Sequence, residues 1–474
     1  MDAQRVLEIF REITNIPRES GHEGPMTEWL QQWAAAHKLA CKTDPTGNVL
    51  ITREASPGKE AVPTIVLQSH QDMVCEKVEG STHDFSKDPI AYVVEDGWMI
   101  AKETTLGADD GIGIAASLAL LESPLPMGRV EALFTISEET GMDGAEALQS
   151  GFFTGKTLIN LDSEDEGQLF IGCAGGVNTE AVCSFGTSPV QPGRTLVRLF
   201  VGGAIGGHSG DDINKDRVNA VQQLARFLYG IEGDWSLVRF EGGGKPNAIA
   251  REAQAVVATP DAAALETAFK AFGEILGDEF HTSDPGVFVR CETVTASEAQ
   301  SLSPADSRLF AGVLFSHPHG VIAMSQDIKD LVETSSNLAS VRMDGDGVFV
   351  VRSSQRSSVM SARDMAAAKV RAHMELAGAR VEHLLPYPGW KPDVNSHILQ
   401  VCVESYRRLF GEDPLVLAIH AGLECGLFLD KFPDLDMISF GPTLRGVHAP
   451  GEKLQLSSMD RFVDLLTDVV CNFS

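Results

Sequence analysis

The chain has 474 residues, 43% of them hydrophobic, and a formal charge of −28 from 66 acidic and 38 basic side chains. That length allows two or more domains around a large core, and no apolar run approaches the roughly 20 residues that span a bilayer. The acidic excess repels phosphate backbones and so excludes nucleic acid as a partner; it reads first as solubility, with a minor share as carboxylates gathered to hold cations.

The opening residues MDAQRVLEIFREITNI predict an amphipathic helix with Val6, Phe10 and Ile13 on one face. Early acidic residues and the lack of a cleavage-site pattern argue against a signal peptide. The eight cysteines (41, 75, 173, 183, 291, 402, 425 and 471) form no CxxC pair. They read as reduced, buried thiols of a cytoplasmic protein.

From residue 1 to about 190, strand-like runs alternate with helical ones, the text of a mostly parallel α/β sheet. TIVLQ (64–68), VEALFTI (130–136) and TLINL (157–161) are the strands, and GIAASLALLES (113–123) is a helix between the first two. A proline- and glycine-bearing joint, TSPVQPGR, lies at 187–194. Beyond it come the strand 195–201, the helix 217–231, the strands 235–240 and 247–258, the helix 261–276 and the strand 286–291. This βαββαβ order suits an α+β unit. A second joint, LLPYPGWKPD (384–393), precedes renewed α/β text with strands at 415–419 and 435–440 and a helix at 458–470. The predicted organisation is one α/β catalytic domain built from residues 1–192 and 386–474, interrupted by an inserted α+β domain over 193–385.

Several predicted strands run into acids or histidines. TIVLQ leads to His70 and Asp72, VEALFTIS to Glu138 and Glu139, TLINL to Asp162, and LDMISF to a loop holding His448. LGADDG (106–111) adds Asp109 and Asp110 before a helix. In open parallel sheets, functional groups collect at the carboxyl ends of strands, so these side chains could converge. Converging carboxylates raise one another's pKa unless a cation intervenes. Two histidines with three or four carboxylates suit Zn²⁺, with Mn²⁺ or Co²⁺ as substitutes. Each piece alone has an ordinary explanation, such as a surface pair, a helix N-cap or a turn; their joint occurrence at strand ends is what points to a metal centre.

The series SHQDMV, LGADDGIG, ISEETGMDGA, NLDSE and GPTLRGVHAPGE resembles the co-catalytic zinc peptidases with an inserted lid, and most closely the aminoacyl-histidine dipeptidases. The resemblance extends over essentially the whole chain through GGHSG (206–210), PNAIAR (246–251), SSQRSS (353–358) and HAGLECG (420–426). It implies a metal-dependent dipeptidase of Xaa-His and related dipeptides, with two Zn²⁺ per subunit and a homodimeric assembly. His70 and Asp162 would hold one ion, Glu139 and His448 the other, and Asp109 would bridge them, the peptide after it being cis. Asp72 would orient His70 as outer carboxylates do, and Glu138 would be the general base. His208 would stabilise the oxyanion, Asn247 and Arg356 would bind the substrate carboxylate or the oxyanion, and Gly422 would line the substrate pocket. A bend is required at Glu138–Glu139, because neighbours on a regular strand point to opposite sides; the following Thr-Gly permits it. An N-acyl-amino-acid deacylase or tripeptidase with the same metal set is the alternative, and a non-catalytic peptide- or metal-binding protein a remote one. SHPHG (316–320) reads as an exposed loop, and EGGGKPN (241–247) lacks the Gly-Lys-Ser/Thr of a phosphate loop.

Overall fold

The computed structural model describes residues 1–295 and 298–474. The chain forms two compact units. One comprises Met1–Gly172, Lys391–Ala418 and Leu423–Ser474; the other comprises Cys173–Trp390 and Ile419–Gly422. No helix among the described residues is long and apolar enough to cross a membrane.

The first unit is built on an eight-stranded sheet. Its order is Ala40–Thr43, Val49–Arg53, Val130–Thr135, Ile65–His70, Thr157–Asn160, Asp436–Ser439, Gln168–Cys173 and Leu415–Ile419. The expected parallel arrangement holds for the four strands from Val130–Thr135 to Asp436–Ser439. Val49–Arg53 and Gln168–Cys173 join this group antiparallel, so the sheet is mixed. The central strands are covered on both faces, which is why they read as continuous apolar runs: Val130–Thr135 and Ile65–His70 are buried at every position. The helix Ala108–Glu122 packs against Ile65–His70 and against the N-terminal helix Ala3–Ile13, whose Val6, Phe10 and Ile13 are fully buried as the spacing predicts.

The second unit is a nine-stranded antiparallel sheet in which Val332–Met343, Val348–Ser357, Gly175–Ser184 and Arg380–Tyr387 are successive neighbours. Its helices Ala220–Gly230, Ala262–Glu279, Pro304–Ser316 and Met360–Glu375 enclose a core that includes Trp235, Phe240, Phe269, Phe310 and Phe349. The boundary at 192 shifts to Gly172 here, because Gly175–Ser184 pairs with Val348–Ser357 along its whole length and so belongs to this sheet. Ile419–Gly422 also falls in this unit, not in the C-terminal part of the first.

Three local expectations change. The strand expected over 247–258 begins only at Ala253; Asn247 and Ala248 instead hold the GGHSG loop, through Ser209 N to Asn247 O at 2.9 Å and a bridge between His208 and Ala248. His317 of SHPHG is 2% exposed, packed by ring contact with His373 in place of an open loop. Cys41 is exposed, and Cys75, Cys291 and Cys471 are half-buried, so burial of the thiols is incomplete.

Candidate active site

The four parallel strands end on one edge of the sheet, and each delivers part of the site. His70 is the last residue of Ile65–His70 and is 1% exposed. Its Nε2 lies 2.8 Å from Asp109 Oδ1 and 3.4 Å from Asp162 Oδ1. His448, in the loop after Asp436–Ser439, places Nε2 3.0 Å from Asp109 Oδ2 and 3.0 Å from Glu139 Oε2. Asp109 therefore offers one oxygen to each imidazole, and the Asp109–Asp110 peptide is cis. All five residues expected to hold metal come together.

Asp72 is fully buried and does more than orient His70. Its Oδ1 lies 3.3 Å from His70 Nδ1 and accepts from Glu138 N at 3.1 Å, while Oδ2 accepts from Ser20 Oγ at 2.8 Å and Glu139 N at 3.2 Å. One carboxylate thus fixes both the imidazole and the turn carrying the glutamate pair. The required bend falls at Ser137 (φ 53°, ψ 35°), before the pair rather than at the Thr-Gly after it. Glu23 clamps that residue, accepting from Ser137 N at 2.9 Å and Ser137 Oγ at 3.1 Å.

Two site residues were not singled out by the sequence reading. Glu452, 2% exposed, accepts from the N–H groups of Leu106 (2.7 Å), Gly107 (2.9 Å), Ala108 (2.8 Å) and Asp109 (3.4 Å). It lay within the quoted GPTLRGVHAPGE, but a glutamate after Pro-Gly reads as an ordinary turn. Arg18, also 2% exposed, donates to Gln71 O at 3.1 Å, Asp72 O at 2.7 Å and Gly107 O. It joins the loop after His70 to the loop before Asp109, and nothing local in NIPRESG announces that role.

A buried polar layer spans the same strands. Asn160 Nδ2 donates to Gln68 Oε1 at 2.6 Å, and Gln68 Nε2 donates to Glu424 Oε2 at 2.6 Å. Glu424 also accepts from Thr135 Oγ1 at 2.8 Å. Polar side chains of three adjacent strands are thereby partnered in the core, while Glu424 Oε1 is buried with no partner among the described residues.

The electrostatics show a site short of positive charge. Burial pushes Glu138 and Asp110 up to about 8 and raises Asp162 well above the carboxylate range. Burial opposes protonation of His70, but Asp162, Asp109 and Asp72 outweigh it and raise the imidazole well above its usual value. Hydrogen bonds to Asp109 and Glu139 push His448 up to about 11. Burial would raise Asp109, yet the two imidazoles hold it below the carboxylate range. Retained protons are the compensation a carboxylate cluster finds without a cation. Two imidazole nitrogens and three carboxylates, with Asp109 between the imidazoles, form a donor set that fits divalent ions of the zinc type.

The residues expected in the inserted domain lie in the second unit. His208 Nδ1 lies 3.3 Å from Gly210 N and 3.3 Å from Asp211 Oδ2; the first contact needs a bare nitrogen and the second a protonated one. Asn247 is exposed beside it. Arg356 is 7% exposed, with Nη1 3.2 Å from Tyr387 Oη and Nε buried without a partner among the described residues. A Cβ at Gly422 would lie 3.0 Å from the Tyr387 ring. His420, left open between packing and substrate contact by its sequence, bonds Ser335 Oγ through Nε2 at 2.7 Å, and burial lowers its pKa to about 3.

A mixed sheet whose four parallel strands bring together, at their carboxyl ends, two histidines, a carboxylate between them and an adjacent half-buried glutamate defines a metal-dependent hydrolase. The chain belongs to peptidase family M20/M25/M40, whose sequence pattern matches residues 66–472. It is a dipeptidase, a hydrolase acting on peptide bonds. It is 38% identical over 475 aligned residues to the cytosol non-specific dipeptidase of Escherichia coli K12, covering 99% of this chain and 98% of that protein. The crystal structure of the aminoacylhistidine dipeptidase from Vibrio alginolyticus superposes with a TM-score of 0.92 at 38% identity, over 99% of this chain and 96% of that one. An aminopeptidase of Bacillus cereus, 17% identical with a TM-score of 0.59 over 99% and 98% of the two chains, shares the fold.

Proposed function

We propose that this dipeptidase cleaves the single amide of dipeptides with a free carboxylate, Xaa-His among them, with Glu138 as general base. The observation that carries the reading is Asp109, with one oxygen 2.8 Å from His70 Nε2 and the other 3.0 Å from His448 Nε2, beside a glutamate pair tied to Asp72. His70 and Asp162 would hold one ion, Glu139 and His448 the second, and Asp109 both; zinc is the proposed metal, with Mn²⁺ or Co²⁺ as substitutes. When bound, two such ions supply Lewis-acid polarisation of the scissile carbonyl and acidify a water. Glu138 takes the proton from the attacking water and returns it to the departing amine nitrogen. Asp72 keeps the His70 ring and the 138–139 turn in one geometry. His208 donates through Nε2 where negative charge develops on the substrate oxygen, and Arg356 takes the carboxylate. Asn247 adds a polar contact to the substrate.

Printed names support breadth as well as histidine: one relative is called non-specific, the other an aminoacylhistidine dipeptidase. A cytoplasmic location follows the first of these, and a homodimer, with its mass measurable by light scattering, follows the sequence resemblance. The test is hydrolysis of Ala-His, β-Ala-His, Gly-Gly, a tripeptide and an N-acetyl amino acid, before and after chelation and zinc return, with Glu138→Ala as control. Metal-dependent cleavage of the dipeptides that disappears in Glu138→Ala is expected. Cleavage of the acetylated compound alone would replace the reading with a deacylase. Full activity in the Glu138→Ala protein would remove Glu138 as base.

A further inference from the structure

One row of residues crosses four strands of the second unit. Ser335 faces Arg356, Arg356 faces Gly176, and Gly176 faces Tyr387 in the strand register. Residues directly opposite in antiparallel strands point to the same face of the sheet. The row therefore sets Ser335, which bonds His420, beside Arg356, then a position without a side chain, then Tyr387. The missing side chain has a use. A Cβ at Gly176 would lie 2.5 Å from both Cζ and Oη of Tyr387, so the ring leans across the space that any other residue would fill. Its far side lies against Gly422, where a Cβ would approach the ring to 3.0 Å. Held between two glycines, the ring brings Oη to 3.2 Å from Arg356 Nη1. The tyrosine's own carbonyl accepts from Arg363 Nη1 at 2.7 Å, which fixes its backbone.

We propose that Tyr387, seated over Gly176, is a positioning residue that aims the guanidinium of Arg356 at the carboxylate of the substrate. This rests on the reading of Arg356 as the carboxylate anchor. The guanidinium is nearly buried and its Nε has no partner among the described residues, so the Tyr387 hydroxyl is the contact that sets its direction. Arg356 donates to substrate only if its fork is oriented, because bidentate pairing to a carboxylate tolerates little misalignment. The phenol oxygen accepts one guanidinium N–H and leaves the others for the ligand. Gly176 and Gly422 are thereby explained as clearance for the ring.

The test uses the metal-loaded, full-length enzyme with two substrates, Ala-His and its C-terminal amide, which lacks the carboxylate. Tyr387→Phe keeps the ring and removes the hydroxyl. It should raise KM for Ala-His about five- to tenfold with kcat nearly unchanged, and leave KM for the amide as in the wild type. Gly176→Ala, which displaces the ring, should reproduce that split. In an Arg356→Ala background the Tyr387→Phe change should add nothing, since the tyrosine acts through the arginine. Equal effects on acid and amide, no effect on either, or a Tyr387→Phe effect that persists without Arg356 would each overturn the inference. If Arg356→Ala itself leaves KM for Ala-His unchanged, the anchor reading falls and takes this inference with it. A large Arg356→Ala effect beside a silent Tyr387→Phe refutes the positioning role alone.

Discussion

Replacing Glu452 by glutamine keeps shape and volume and removes one oxygen. In the native protein Oε2 accepts from Leu106 N and Gly107 N, and Oε1 from Ala108 N and Asp109 N, all at 2.7–3.4 Å. A glutamine carbonyl can serve one of these pairs; its NH₂ then faces the other two donors. Each buried N–H left unsatisfied costs about 1–3 kcal/mol, so two amount to about 4 kcal/mol. The segment released is the one that carries Asp109, between His70 and His448. Outer-shell changes of this kind weaken metal binding by about 10- to 100-fold. Zinc affinity measured by competition with a chromophoric chelator should therefore fall by at least about tenfold, and the urea midpoint of the metal-free protein should drop. Wild-type affinity together with a wild-type midpoint would show that the loop holds its form without Glu452, and the reasoning would be wrong.

Glu138→Gln should lower kcat by about 10²- to 10⁴-fold, the usual worth of a positioned general base, while zinc stoichiometry measured by atomic absorption stays that of the native protein. Comparable losses of metal and of kcat would assign Glu138 a ligand role. Asp72→Asn leaves one oxygen for donors now shared between two, so both kcat/KM and zinc affinity should fall by about tenfold or more; a change in only one of them would separate the His70 contact from the 138–139 turn. His317, in the second unit, adds a pH dependence of its own. Burial lowers its pKa to about 3, whereas the unfolded chain takes up that proton near pH 6.5. Below 6.5 the unfolded state binds more protons, so stability falls with pH by about 1.4 kcal/mol per unit until about pH 3. Urea unfolding between pH 4 and 6.5 should lose that one-proton slope in His317→Phe, and an unchanged slope would refute the assignment.

The clustered histidines and carboxylates were legible because strand-end chemistry is local. A β-branched run such as Ile65–Val66–Leu67 states its own burial, and the polar residue that follows must sit at the strand's end. His70, Glu138, Glu139 and Asp162 could be placed that way, and Asp109 and His448 through the motifs around them. Where the text failed, the missing information was which strand lies beside which. Nothing within Gly175–Ser184 tells which sheet it joins; its pairing with Val348–Ser357 moves the unit boundary from 192 to Gly172. The bend at Ser137 likewise depends on Glu23, which lies far away in the chain and accepts from both its N–H and its hydroxyl.

By itself, then, the sequence determined the elements, the alternation of sheet and helix, and the residue types gathered at the strand ends, since periodicity and turn chemistry act over a few residues. Tertiary structure alone decided what holds those groups still. Arg18 and Glu452 approach the same short loop from opposite ends of the chain, one donating to its carbonyl and the other accepting from its N–H groups. Gly176 acquires its meaning only when Tyr387 is its neighbour in register. Such contacts are fixed by strand order and register, which arise from the whole chain's competition for burial and hydrogen bonds and leave no mark in the residues around them.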